Sequence, residues 1–204
     1  MKKIILSALL YVMLISVNYE KSYATCPSGY SSTFTTLIIN GCEVYVELCK
    51  KCEPASHDVA LKIFGFTQIN PSCTMVPYLT PSEVLTKISD ILLTPSKIMY
   101  FCTGFEVPPC DPPTAGGEVS YSIPICWSKI NISNSIHFQA CDTADVNCDA
   151  LYKWCFDGTS YIKTKIYQGV SGSLSSCLDS EQDVPDPPLN VTSGCFYLST
   201  NCKP

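Results

Sequence analysis

Fourteen cysteines in 204 residues constrain this chain more than any other feature. They are Cys26, Cys42, Cys49, Cys52, Cys73, Cys102, Cys110, Cys126, Cys141, Cys148, Cys155, Cys177, Cys195 and Cys202. An even, dense set of thiols reads as a disulfide framework in an oxidising compartment, and as metal or redox chemistry in a reducing one. Up to seven bridges are expected, with a pairing that spacing alone does not determine. Each contributes about 2–4 kcal/mol, mainly by restricting the unfolded chain. A few of them match the whole stability margin of an ordinary domain, about 5–15 kcal/mol.

The N-terminus agrees with the oxidising reading. Lys2 and Lys3 precede an apolar run from Ile4 to Val17, and Ser22 and Ala24 place small residues where a signal peptidase reads. Residues 1–24 are therefore expected to be a secretory signal peptide, cut after Ala24. The apolar run is short against the roughly 20 residues that span a bilayer. Thr25 before Cys26 departs from the small residue that lipid attachment prefers. No later stretch is apolar enough for an integral membrane span. The expected location is secreted or at the cell surface.

Charge narrows the partners. The chain carries 13 Lys and no Arg against 18 acidic residues, a formal charge of −5. Nucleic-acid binding needs a basic face, so no nucleic acid is expected as a partner.

Proline and glycine suggest the organisation. Residues 107–117 hold four prolines and two glycines, which fit neither a helix interior nor a central strand. They divide the chain into a β-rich lobe with one helix over 25–106, a connector over 107–117 and a β-rich lobe over 118–204. A single domain over 25–204 is the equal alternative. Six cysteines precede the connector and seven follow it, so with Cys110 joined to the second group each side can close internally.

Residues 33–39 and 42–48 are rich in β-branched and aromatic side chains, and Asn40-Gly41 between them is the favoured pair for a two-residue hairpin turn. Cys42, Val44, Val46 and Leu48 share one face, and Glu43, Tyr45 and Glu47 the other. A second hairpin is expected over 152–156 and 161–167 around Asp157-Gly158. Its Lys163 and Lys165 share the polar face, and Ile162, Thr164 and Ile166 face away. Cys141, Cys148 and Cys155 recur every seven residues, so a helix competes for the first arm. The aromatic cluster beside the turn favours the strand. Shorter strands are expected at 59–66, 97–102, 119–125, 136–140 and 195–198. One helix is expected over 81–93: Thr80 caps it, Pro81 opens it, Glu83 completes a capping box and Pro95 stops it. The fold class is thus mainly β with one short helix packed on a sheet (α+β), built of disulfide-stapled antiparallel hairpins.

Chemistry is sparse. Cys49 and Cys52 form a CxxC, but no helix start follows to lower a thiol pKa. With His57 and Asp58 nearby it is a poor zinc site, and oxidation to separate partners is the expected state. His57 and His137 are the two histidines, and no nucleophile elbow accompanies them. Asp142, Asp145, Asn147 and Asp149 form a weak calcium candidate, and Asp179, Glu181, Asp183 and Asp186 a weaker one. Neither matches an EF-hand loop. No other cofactor is expected. Asn131 and Asn190 sit in glycosylation sequons.

Cys26-Pro-Ser-Gly-Tyr30, Ile39-Asn-Gly-Cys42, the CxxC and the Cys141 to Cys148 segment resemble the pattern of uncharacterised cysteine-rich secreted proteins of environmental bacteria. The resemblance implies export and β-rich structure, and no activity. The expected function is a non-catalytic, disulfide-rich structural or binding protein outside the cell. It would contact a cell-surface polymer or protein, with Tyr45 and the Tyr161/Tyr167 pair as surface aromatics, or self-assemble through an edge strand. The alternatives are a secreted hydrolase using paired Asp/Glu residues, and a disulfide-rich inhibitor or effector presenting the Cys110 loop.

Overall fold

Asn40 and Gly41 take φ of +48° and +84°, the conformation a tight two-residue turn requires. They join β1 (Ser31–Ile39) to β2 (Cys42–Glu53), which pair antiparallel from Ile39↔Cys42 to Ser31↔Lys50. The expected alternation holds: Leu37, Ile39, Val44, Val46 and Leu48 are buried, and Phe34 and Ile38 are exposed. This computed structural model describes residues 26–111, 116–141, 146–172, 177 and 180–198. The expected signal segment lies outside the described residues.

β3 (Asp58–Gln68) pairs with β2 along one side and forks the sheet along the other. Val59–Lys62 run parallel to β4 (Gly117–Pro124), whereas Gly65–Thr67 run antiparallel to β6 (Ser135–Ala140). Between the two, the register against β2 shifts at Glu47/Leu48 and leaves Phe64 unpaired. Such a bulge bends and re-twists a strand, and here it lets one strand serve two neighbours. One arm continues from β4 to β7 (Asn147–Phe156) and β8 (Tyr161–Ser171). The other continues from β6 to β5 (Cys126–Ile132) and β9 (Phe196–Tyr197). The nine strands form one sheet that contains strands from both sides of residues 107–117.

Among the described residues two helices, not one, pack on this sheet. α1 (Pro81–Leu92) has the expected capping box: Glu83 N–H donates to Thr80 Oγ1 (3.3 Å) and Thr80 N–H donates to Glu83 Oε2 (2.8 Å). Val84, Leu85, Ile88 and Leu92 are its buried stripe. α2 (Pro95–Phe101) replaces the strand expected at 97–102. Pro95 does end α1, but it also occupies the first position of α2, where its missing N–H costs nothing. Ile98 and Phe101, three apart, are the buried residues of α2; that is helical spacing, too short to register as a stripe.

The core centres on Trp127, Trp154, Phe101 and Phe196 with aliphatic residues of β2, β3 and α1. Phe66 stacks on Phe138 at 4.8 Å and meets Trp127 edge-on at 5.3 Å. Six disulfides join described cysteines. Cys26–Cys49, Cys42–Cys73 and Cys52–Cys102 lie on one side of the proline-rich stretch. Cys110–Cys155, Cys126–Cys177 and Cys141–Cys195 lie within and beyond it. Cys148 is also disulfide-bonded, and no described cysteine is free. Cys202 lies outside the described residues. The seven-residue recurrence of Cys141, Cys148 and Cys155 is not a helix, since β7 is extended through two of them.

Candidate functional site

The CxxC is split, with Cys49 bonded to Cys26 and Cys52 to Cys102. His57 occupies a turn at φ +58°, with Nδ1 2.9 Å from the Glu106 carbonyl. The chain passes so close there that a Cβ on Gly117 would lie 2.2 Å from the His57 carbonyl oxygen. His137 stands opposite Thr67 at the far end of β3. Nine residues of strand, about 30 Å, separate the two histidines, so they share no site.

Asp142 and Asp145 of the first acidic group lie outside the described residues. Asn147 and Asp149 sit on β7, where Asp149 Oδ2 accepts from Ser171 Oγ at 2.5 Å. Among the described residues, no three His, Cys, Asp or Glu side chains converge as a metal site. Asp179 lies outside the described residues, as does the Glu181 side chain. Asp183 accepts from Ser180 Oγ at 2.5 Å. Asp186 pairs at 3.2 Å with Lys129, which is only 5% exposed. Lys129 Nζ also donates to the Val184 carbonyl at 3.0 Å and lies 5.5 Å from the Phe196 ring. A buried charge must be paired, so this part of the acidic loop works as a tether. The lysine gives no sign of this in sequence, because it stands in the unpatterned stretch of β5.

Among the described residues two carboxyls are shifted, both downward. Hydrogen bonds from the Thr80 backbone and hydroxyl lower Glu83. The Ser160 and Thr159 backbone N–H groups lower Asp157 in its turn. A general acid at neutral pH needs the opposite shift. The described end of the proline-rich stretch lies flat: Cys110 N–H donates to the Phe156 carbonyl (3.0 Å) and Phe156 N–H to the Pro108 carbonyl (2.8 Å). Of the sequons, Asn131 donates its side-chain N–H to the Pro187 carbonyl at 3.2 Å, and Asn190 sits in an exposed turn.

The surface that stands out is the open side of β1. Among the described residues β1 pairs only with β2. A two-residue hairpin makes Ile39↔Cys42 a hydrogen-bonded pair, and the pattern alternates from there. The backbone N–H and C=O groups of Ser32, Phe34, Thr36 and Ile38 therefore point away from β2, along the free edge. The complementary parity on β2 is seen directly, since the Glu43 carbonyl accepts from Ile69 N–H on its other side at 2.9 Å. Phe34 and Ile38 are 64% and 62% exposed on the outer face, and Phe34 stacks on Tyr45 at 5.5 Å. No charged residue and no proline occurs within β1, and its register is unbroken.

β8 is the second long edge. Tyr161 through Tyr167 are exposed. Lys163 and Lys165 stand opposite Trp154 and Tyr152, on the face that continues the core, and the exposed Ile162 lies on the other. A register shift between Leu151 and Tyr152 leaves Ile166 as an extra residue. That bulge flips the parity, so Tyr161 and Tyr167 fall on opposite faces and are not the pair the sequence suggests.

No protein-family model, curated protein or solved structure matches this chain.

Proposed function

We propose that this is a non-catalytic, disulfide-stapled structural or binding protein of the cell exterior, and that the open edge of β1 is its working surface. The resemblance to cysteine-rich secreted bacterial proteins belongs to the same proposal. The observation that carries it is an edge strand nine residues long, uncharged and unbulged, with two large apolar side chains beside it. Natural sheets guard their edges with lysine, proline, bulges or cover. An unguarded one is fitted to receive another strand. The engaging strand is β1 of a second copy, antiparallel about a twofold axis. A register centred on Thr35 sets Phe34 opposite Thr36 of the partner and forms about eight backbone hydrogen bonds. It also brings the Phe34, Ile38 and Tyr45 patches of the two copies together. With β8 guarded, one unguarded long edge among the described residues closes such an assembly at a dimer.

The test has two parts. The exported protein is expected to begin at Thr25 by intact mass and to yield no alkylatable thiol without reduction. A cytosolic chain that keeps its first 24 residues and carries free thiols would overturn the export reading. In sedimentation equilibrium the mature chain is expected to be a dimer, tighter at high salt because its net charge is negative. Thr36→Pro places a proline where the backbone N–H points outward, so the β1–β2 ladder keeps its bonds, and it should yield a monomer. A wild-type monomer at all concentrations would defeat the edge reading.

A further inference from the structure

The face of α1 bearing Leu85, Ser89 and Asp90 faces the core side of β4, β7 and β8. A cleft of about 370 Å³ lies between them. That volume falls in the lower part of the ~300–1,000 Å³ range of small-molecule sites. Buried Ala150 is the smallest side chain in its lining. The two walls differ in charge. Lys163 and Lys165 stand on β8, two residues and about 7 Å apart on one face. Lys163 Nζ is held 5.2 Å from the Tyr152 ring and 5.7 Å from the Trp154 ring. Lys165 Nζ donates to Gln168 Oε1 at 2.5 Å. Among the described residues neither ammonium has a carboxylate partner. The α1 wall carries Asp90, beside a Ser89 hydroxyl that bonds the Tyr121 hydroxyl at 2.8 Å.

A ligand complementary to this cleft puts an anion against β8 and hydroxyl donors against α1. It must also be small and polar. We infer that the cleft binds an acidic saccharide, a hexuronic acid unit whose carboxylate lies between Lys163 and Lys165 and whose hydroxyls reach Asp90 and Gln168. A carboxylate suits two point-charge ammoniums. A dianionic phosphate meets Asp90 across the cleft, and the chain has no guanidinium to grip it bidentately. The Tyr152 phenol, a hydroxyl donor at neutral pH, lines the cleft, and burial, and then Asp90, push its pKa up. The cleft lies on the β8 arm, at the opposite end of the sheet from β1, so this inference stands apart from the edge reading.

The experiment is amide and side-chain NMR of the mature protein titrated with digalacturonate. Glucose, glutamate and inorganic phosphate at matched ionic strength are the comparison ligands. Saturable shifts at Lys163, Lys165 and Ser89 are expected, with an affinity near the millimolar range. Lys165→Gln should weaken binding about tenfold, and Asp90→Asn should spare or strengthen it. The inference is overturned if digalacturonate gives no saturable shift at ~10 mM, if glucose, glutamate or phosphate binds as well, or if the shifts map elsewhere. Because the wild-type titration localises the site by itself, a variant that fails to fold does not remove the test.

Discussion

β1 and β8 are both edge strands of the same sheet, and they are built in opposite ways. β8 carries two lysines, a bulge and full exposure from Tyr161 to Tyr167. β1 has none of these devices and buries alternate residues under the helices. Exposure alone would have marked β8 as the interaction surface. The physics of strand addition marks β1, because pairing needs a flat run of free backbone groups without charges to desolvate. An edge is defined by what it lacks as much as by what it shows.

Removing the staples tests whether the two ends are held alike. Cys110–Cys155 anchors the end of β7 beside β8 and closes a 45-residue separation. Replacing both cysteines by serine should cost about 4 kcal/mol in chemical denaturation. Cys26–Cys49 secures the approach to β1 with a separation of 23, and its loss should cost about 3 kcal/mol. Equal or reversed costs would mean that native-state strain or denatured-state structure outweighs loop length. Thr36→Pro comes next: a dimer dissociation constant at least ~100-fold weaker, about 2.7 kcal/mol, with the melting temperature unchanged when both proteins are compared as monomers, below the wild-type dissociation constant. Converting Lys163 and Lys165 together to threonine should partly unguard β8. Light scattering should then show growth beyond the dimer, since two open edges no longer close. A stable dimer in that variant would mean that the bulge is guard enough.

The smallest effect concerns pH, and it touches only the β8 arm. Burial drives the Tyr121 phenol far up, with the Ser89 hydrogen bond opposing it. Its folded pKa is thus raised above the unfolded value of about 10. The protonated form's contribution is complete below that value and is lost as pH climbs through and beyond it. Stability should be insensitive to Tyr121 at neutral pH and should decline above about pH 10. Tyr121→Phe should lessen that decline, leaving the share of Tyr152, whose phenol is also pushed up, while costing about 1 kcal/mol for the lost hydrogen bond. Unchanged alkaline unfolding in the variant would assign the slope to other groups.

How much of this was legible depends on the range of the signal. The β1–β2 hairpin and α1 are readable because turn, alternation and cap lie within a dozen contiguous residues. β5 was missed: Cys126, Trp127, Ser128 and Lys129 are buried in succession, and a strand covered on both faces has no alternation to find. α2 was missed because one buried pair makes no stripe. For the site, the uncharged composition of β1 was visible, but its position at an edge was not. The cleft was hidden altogether, since Asp90 and Lys165 meet only through the stacking of α1 on the β7–β8 ribbon.

By itself, then, the chain's order of residues decided the local matters: which segments extend, where they turn, where a helix begins, and that its thiols are too many to be incidental. Folding in three dimensions decided which cysteines meet, how β3 forks between β4 and β6, and which of two exposed edges stays open. The reason is one of distance along the chain. Turn, cap and alternation are energies of neighbours, whereas strand order and disulfide partners depend on contacts between residues tens of positions apart, for which no local pattern selects one partner over another.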